Sequence, residues 1–271
     1  MKEIKRDNAN ISYQVKGNND ITLLFVHGSY IDQTYWKNQV AFFSQDYKVV
    51  TVDLPAHGQS GSGRKNWSVQ GFAEDVIAVI KELNLYNVIL IGHSMGAAIN
   101  LMVATSCPEP VAGFIGIEYF KNAGTPLPEA YQQQAADIVR KLTTDFRNTN
   151  EQYARTALLT EQTPPAIAKK IIEAYRNANQ PMGIATTPEI FNMYQAERKL
   201  LPELKFKLYL INVDYMPTNE AALQQYTTAG GYEVLHMNGT CHFPMLENPS
   251  ELNSLLQRVV KEVSANILHG V

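Results

Sequence analysis

The chain has 271 residues, enough to bury a substantial core as one large domain or as one domain with an insertion. Hydrophobic residues make up 45%, charged residues 18%, and the net charge is -3, a balance that gives neither nucleic acid nor an anionic membrane any electrostatic hold. No run approaches the roughly 18 apolar residues of a membrane span. The charged start Met-Lys-Glu-Ile-Lys-Arg carries no apolar signal segment, and Cys107 and Cys241 lie far apart without metal-ligand spacing. The expectation is a cytoplasmic protein with free thiols, no metal and no membrane partner.

Short strands are expected around Ile4 and over Ile11 to Val15, followed by the apolar run Ile21 to Val26, of buried-strand length. A loop with His27 and Gly28 leads to a helix from about Tyr35 to Ser44, then the β-branched strand Tyr47 to Asp53. Ser68 opens a helix whose Phe72, Val76, Val79, Ile80 and Leu83 share one face. The strand Val88 to Ile91 follows, then a helix through Cys107 stopped by Pro108 and Pro110, then the strand Val111 to Ile117. Single helices between strands imply right-handed crossovers and a mostly parallel α/β sheet with helices on both faces.

The alternation stops near Glu118. From Tyr119 to Leu204 there is no strand pattern, only helical stretches broken by Pro126, Pro128, Pro164, Pro165, Pro181 and Pro188. It resumes with a strand over Phe206 to Asn212, a helix from Asn219 to Thr228, a strand over Glu233 to Met237 and a last helix from Ser250. The expected organisation is a core over 1–118 and 205–271, interrupted by a helical insertion over 119–204. A connection of that length is expected to carry function.

Gly92-His-Ser-Met-Gly96 fits G-x-S-x-G between a strand and a helix of small residues. Such a turn holds its serine strained over a helix N-terminus and needs small neighbours, which makes Ser94 the candidate nucleophile. A serine hydroxyl needs a base. The best candidate for that base is His242, in the loop between the last strand and the last helix. His27 and His93 belong to glycine turns, His57 follows a strand, His236 sits inside one, and His269 is in the tail.

These residues resemble the α/β-hydrolase superfamily over nearly the whole chain. Phe25-Val-His-Gly-Ser29 with Trp36 is similar to the family's His-Gly loop. Asp53-Leu-Pro-Ala-His-Gly-Gln-Ser60 is similar to its D-x-P-G-x-G-x-S stretch, with Ala56 where glycine is usual. The resemblance implies an oxyanion hole from the backbone N–H groups of Ser29 and Met95, and a helical cap formed by the insertion. It also implies a triad acid, for which two carboxylates stand open. Asp214 follows the seventh strand, the family's usual place, though the connection is one residue short. Glu118 ends the sixth strand, as the acid does in haloalkane dehalogenases, whose aspartate nucleophile is absent here. Asp214 is put first and Glu118 second.

The expected reaction is hydrolysis of a small carboxylic ester or related acyl compound through an acyl-enzyme, with no cofactor. Tyr30, Tyr119, Phe120 and Phe243 adjoin these positions as candidate substrate-binding residues, beside Met95. Two other classes stay open: a small-molecule receptor with little turnover, and a cofactor-independent oxygenase or haloperoxidase-like enzyme on the same scaffold. Oligomeric state, monomer or homodimer, is left open.

Overall fold

The computed structural model describes residues 2–227 and 230–269. Eight strands form one sheet: β1 (Lys2–Arg6), β2 (Ala9–Lys16), β3 (Thr22–Val26), β4 (Lys48–Val52), β5 (Val88–His93), β6 (Val111–Ile117), β7 (Leu208–Val213) and β8 (Tyr232–Met237). Their order is β1-β2-β4-β3-β5-β6-β7-β8. Only the β1–β2 and β2–β4 pairings are antiparallel; from β4 to β8 the sheet is parallel. The central strands β3 and β5 are buried along their whole length. This is why they read as continuous apolar runs and not as alternating patterns.

Helices cover both faces. In chain order, the chain up to β6 contributes α1 (Lys37–Phe43), α2 (Val69–Glu82) and α3 (Met95–Ser106). The Ser68 hydroxyl caps α2 by accepting from the Gly71 N–H at 3.0 Å. The region expected as the first helix begins instead with a 3-10 turn over Gln33–Trp36 that runs into α1.

Between β6 and β7 the chain forms α4 (Glu129–Leu142), α5 (Phe146–Tyr153), a π-helical turn (Ala154–Leu158), α6 (Pro165–Arg176), α7 (Gln180–Phe191) and α8 (Tyr194–Leu200). Pro164, Pro165 and Pro181 lie at helix starts, whereas Pro188 is inside α7. The chain after β7 adds α9 (Glu220–Tyr226), a short α10 (Pro244–Glu247) and α11 (Pro249–His269). Thr228, the expected end of α9, lies outside the described residues. α11 packs on α1 and on β6 to β8, and α2 packs on α3. No helix among the described residues is long and apolar enough to cross a membrane.

Candidate active site

Ser94 occupies the single residue between β5 and α3, with φ 52° and ψ -123°. A non-glycine residue is rarely held at such angles, and the crowding around the turn accounts for it. A Cβ at Gly92 would stand 2.5 Å from the Gly96 carbonyl, and one at Gly96 would stand 2.3 Å from the Val26 carbonyl oxygen. The Ser94 N–H donates to the Ile117 carbonyl at 2.9 Å, tying the turn to β6. The 12-residue helix α3 begins directly behind it, so the positive end of its dipole lies beside Ser94.

The His-Gly loop closes on this turn. A Cβ at Gly28 would lie 3.1 Å from the Ser94 Cβ and 2.7 Å from His93 Nδ1. The next residue, Ser29, directs its hydroxyl to the Met95 sulfur at 3.6 Å. The residues expected to supply the oxyanion amides are therefore neighbours across the turn. His27 stabilises the loop from within. Its Nε2 accepts from the Leu54 N–H at 3.0 Å, so Nδ1 carries the proton and donates to the Gly28 carbonyl at 2.8 Å.

His242 lies between β8 and α10, its ring centroid 4.7 Å from that of His93. His93 Nε2 donates to the His242 carbonyl at 2.7 Å, and the His242 N–H donates to the Leu158 carbonyl at 3.1 Å. Bonds to its backbone thus hold His242 from both sides, one from the residue beside Ser94 and one from the π-helical turn. No hydrogen bond joins the Ser94 hydroxyl to the ring among the described residues, and such bonds commonly tighten only with substrate bound.

Nδ1 of His242 lies 3.1 Å from Oε2 of Glu118. The Glu118 side chain is wholly buried at the end of β6, on a backbone turned to φ 55°. Burial pushes its carboxyl up, but His242, the Lys121 ammonium and the Val213 amide together hold it below the usual carboxylate range. An ionised Glu118 accepts from Nδ1–H and leaves Nε2 with its lone pair free to take a proton. The other oxygen, Oε1, accepts from Lys121 Nζ at 2.9 Å and from the Val213 N–H at 2.5 Å. Tyr215 completes the cluster with its hydroxyl 3.4 Å from Nδ1.

The sequence profile of the alpha/beta hydrolase family matches residues 23–255. The chain belongs to that family. A Haemophilus influenzae family relative described as an esterase/lipase is 28% identical over 260 residues, covering 92% of this chain and 87% of its own. The karrikin insensitive 2 receptor IA of Petunia hybrida is 21% identical over 267 residues, covering 94% and 96%. A thermophilic esterase from Thermogutta terrifontis shares the hydrolase fold with a TM-score of 0.81 at 18% identity, covering 97% of this chain and 99% of that one.

Within this hydrolase the expectation that Asp214 meets His242 is corrected. The Asp214 N–H still pairs with the Met237 carbonyl at 3.0 Å, so residue 214 prolongs the β7–β8 ladder instead of turning out of it. Its half-exposed carboxylate meets Nδ1 of His236 on β8 at 2.9 Å. The shorter connection after β7 is the sequence signal for this change. Lys121 and Tyr215 were not singled out by sequence reasoning. Lys121 carries a faint signal in lying three residues after Glu118, and Tyr215 carries none.

The aromatic candidates divide. Tyr30 is buried, and its hydroxyl shares a 2.7 Å hydrogen bond with the Thr187 hydroxyl of α7 while its ring meets Phe146 and Tyr175 edge-on. Phe243 is fully buried against the His93 and His242 rings. Phe120 packs on Phe114 of β6 and on Tyr119 as core, and the Tyr119 hydroxyl bonds the buried Glu197 of α8. Cys107 and Cys241 are unpaired. Among the described residues no three His, Cys, Asp or Glu side chains gather as metal ligands.

Proposed function

We propose that this protein hydrolyses a small carboxylic ester through Ser94, His242 and Glu118. The observation that carries the reading is the His242–Glu118 contact, made beside the strained turn that presents Ser94. Ser94 attacks the ester carbonyl while Nε2 of His242 takes its proton. The Ser29 and Met95 amides and the α3 N-terminus receive the developing oxyanion. Loss of one oxyanion donor of this kind costs about 3 kcal/mol of transition-state stabilisation. The imidazolium, stabilised by Glu118, returns the proton to the leaving alkoxide. Water activated by the same histidine then attacks the acyl-enzyme and frees the acid and the serine.

The insertion over 119–204 acts as a cap in this reading. Two bonds support that role: Leu158 to the His242 backbone, and Thr187 to Tyr30. The esterase/lipase description of the Haemophilus relative supports an ester as substrate. The test is hydrolysis of p-nitrophenyl esters over an acyl-chain series. Saturable turnover with a preference for short chains is the expected result, and no turnover of any ester overturns the reading. The second reading, a receptor with little turnover, draws support from the Petunia relative. It predicts stoichiometric labelling of Ser94 by a fluorophosphonate without multiple turnovers of any ester.

A further inference from the structure

Lys121 is a partly buried cation that the hydrolytic scheme above leaves without a part. Its side chain is 12% exposed and its ammonium has three acceptors: Glu118 Oε1 at 2.9 Å, the Val213 carbonyl at 2.8 Å and the Met216 carbonyl at 3.0 Å. An ammonium has three protons to donate, and each has a partner here. The same nitrogen lies 4.4 Å from the centroid of the Tyr215 ring. Burial pulls the ammonium down, opposed by the charges of Glu118 and Asp214. Lys121 and His242 thus hold opposite oxygens of one buried carboxylate.

We propose that Lys121 is a positioning residue that shares the Glu118 carboxylate with His242 and thereby sets the pH at which the histidine becomes free to act as base. This rests on the reading of His242 as base. Two effects follow from one cation. The three-way grip locks Glu118 and the segment after β7 into the geometry that receives Nδ1–H. The positive charge also opposes a second positive charge on the imidazole, both directly and by neutralising part of the carboxylate. Without that charge, the Glu118–His242 pair keeps its shared proton to higher pH. The direction is the same whether the proton is written on the ring or on the carboxyl, because the apparent value belongs to the pair.

Other titratable groups surround this pair, among them Glu247 of α10, whose carboxylate accepts from the Cys241 N–H at 2.6 Å. His93 presses on His242 from the end of β5, and Tyr215 on Glu118 from the segment after β7. Cys241 precedes His242, and Tyr153 and Tyr175 reach Tyr215 from the insertion. Asp214 acts on Lys121 from the same segment as Tyr215. Lys121 is the one cationic side chain among them.

The test compares the pH profile of kcat/KM for the wild type with Lys121→Met, Lys121→Gln and Lys121→Arg, each checked by its melting curve. Lys121→Gln keeps a donor for the Val213 and Met216 carbonyls, so it stands in if the methionine variant does not fold. The acidic limb is expected to move up by about half to one pH unit in the Met and Gln variants, and to stay near its wild-type position in Lys121→Arg. Lowered melting temperatures with an unmoved limb would make Lys121 a structural tie only, and a downward shift would contradict the sign. NMR titration of the His242 ring in the wild type and Lys121→Gln reads the same shift without any substrate. A protein that hydrolyses no ester but shows the NMR shift would fail the hydrolytic reading while still supporting the coupling of Lys121 to the His242 ring through Glu118.

Discussion

Nδ1 of His242 and Oε2 of Glu118 stand 3.1 Å apart, although the glutamate ends β6 and the histidine follows β8. β7 lies between them in the sheet, and its own carboxylate, Asp214, bonds His236 instead. Glu118 reaches across because the backbone turns left-handed there, at φ 55°.

The two carboxylates are therefore expected to differ sharply on substitution. Glu118→Gln keeps the shape but favours the wrong imidazole tautomer, and a loss of roughly ten-thousand-fold in kcat is expected. Asp214→Asn removes one half of an exposed pair, worth about 0–1 kcal/mol of stability, and is expected to change kcat by only a few-fold. Steady-state kinetics of the two folded variants check this. Equal losses, or the larger loss at Asp214, would return the acid to β7.

Ala56 offers a stability test. It stands at φ 65° in the turn after β4, where the family pattern has glycine. The left-handed conformation costs an alanine roughly 1–2 kcal/mol, and glycine gives back roughly 0.5–1 in chain entropy. Ala56→Gly is expected to raise the melting temperature by about 1–3 °C. A fall in melting temperature would show that the alanine methyl has packing worth more than the strain.

Acid should weaken the fold through two buried histidines. Burial lowers His27 to about 4, and burial with repulsion from His27 lowers His57 to about 3. As pH drops below about 6.5, the unfolded chain takes up these protons while the folded protein does not, so stability falls as pH falls. Each group contributes about 1.4 kcal/mol per pH unit until its folded value is reached. His57 Nδ1 donates to the Pro55 carbonyl at 3.0 Å, and its Nε2 is buried without a partner. His57→Asn keeps a donor without titrating. Melting curves between pH 7 and pH 4 should slope less in this variant than in the wild type, and parallel slopes would rule out His57 as a contributor.

The strand pattern was readable because buried parallel strands are apolar throughout, as in Leu23 to Val26 and Ile89 to Ile91. The Ser94 turn was readable because its neighbours must be glycine, and crowding enforces that at Gly92 and Gly96. The partner of His242 was not, because both carboxylates end strands of the same parallel sheet. What separates them is a positive φ at Glu118 and one more ladder bond at Asp214, which residue type does not record and to which the shortened connection after β7 is the one sequence clue. Lys121 leaves as little mark in the sequence for a related reason. A lysine in a loop reads as solvated surface until the fold packs it against Glu118.

The most direct test of the account is the turnover of a p-nitrophenyl ester by Ser94→Ala beside the wild type, with melting curves for both. Removing the nucleophile while leaving the turn glycines in place is expected to lower kcat by several orders of magnitude, on the scale of about 10⁶ seen for triad serines, with no loss of folding. A folded Ser94→Ala protein that kept near-native turnover would contradict the assignment of Ser94 and the mechanism built on it.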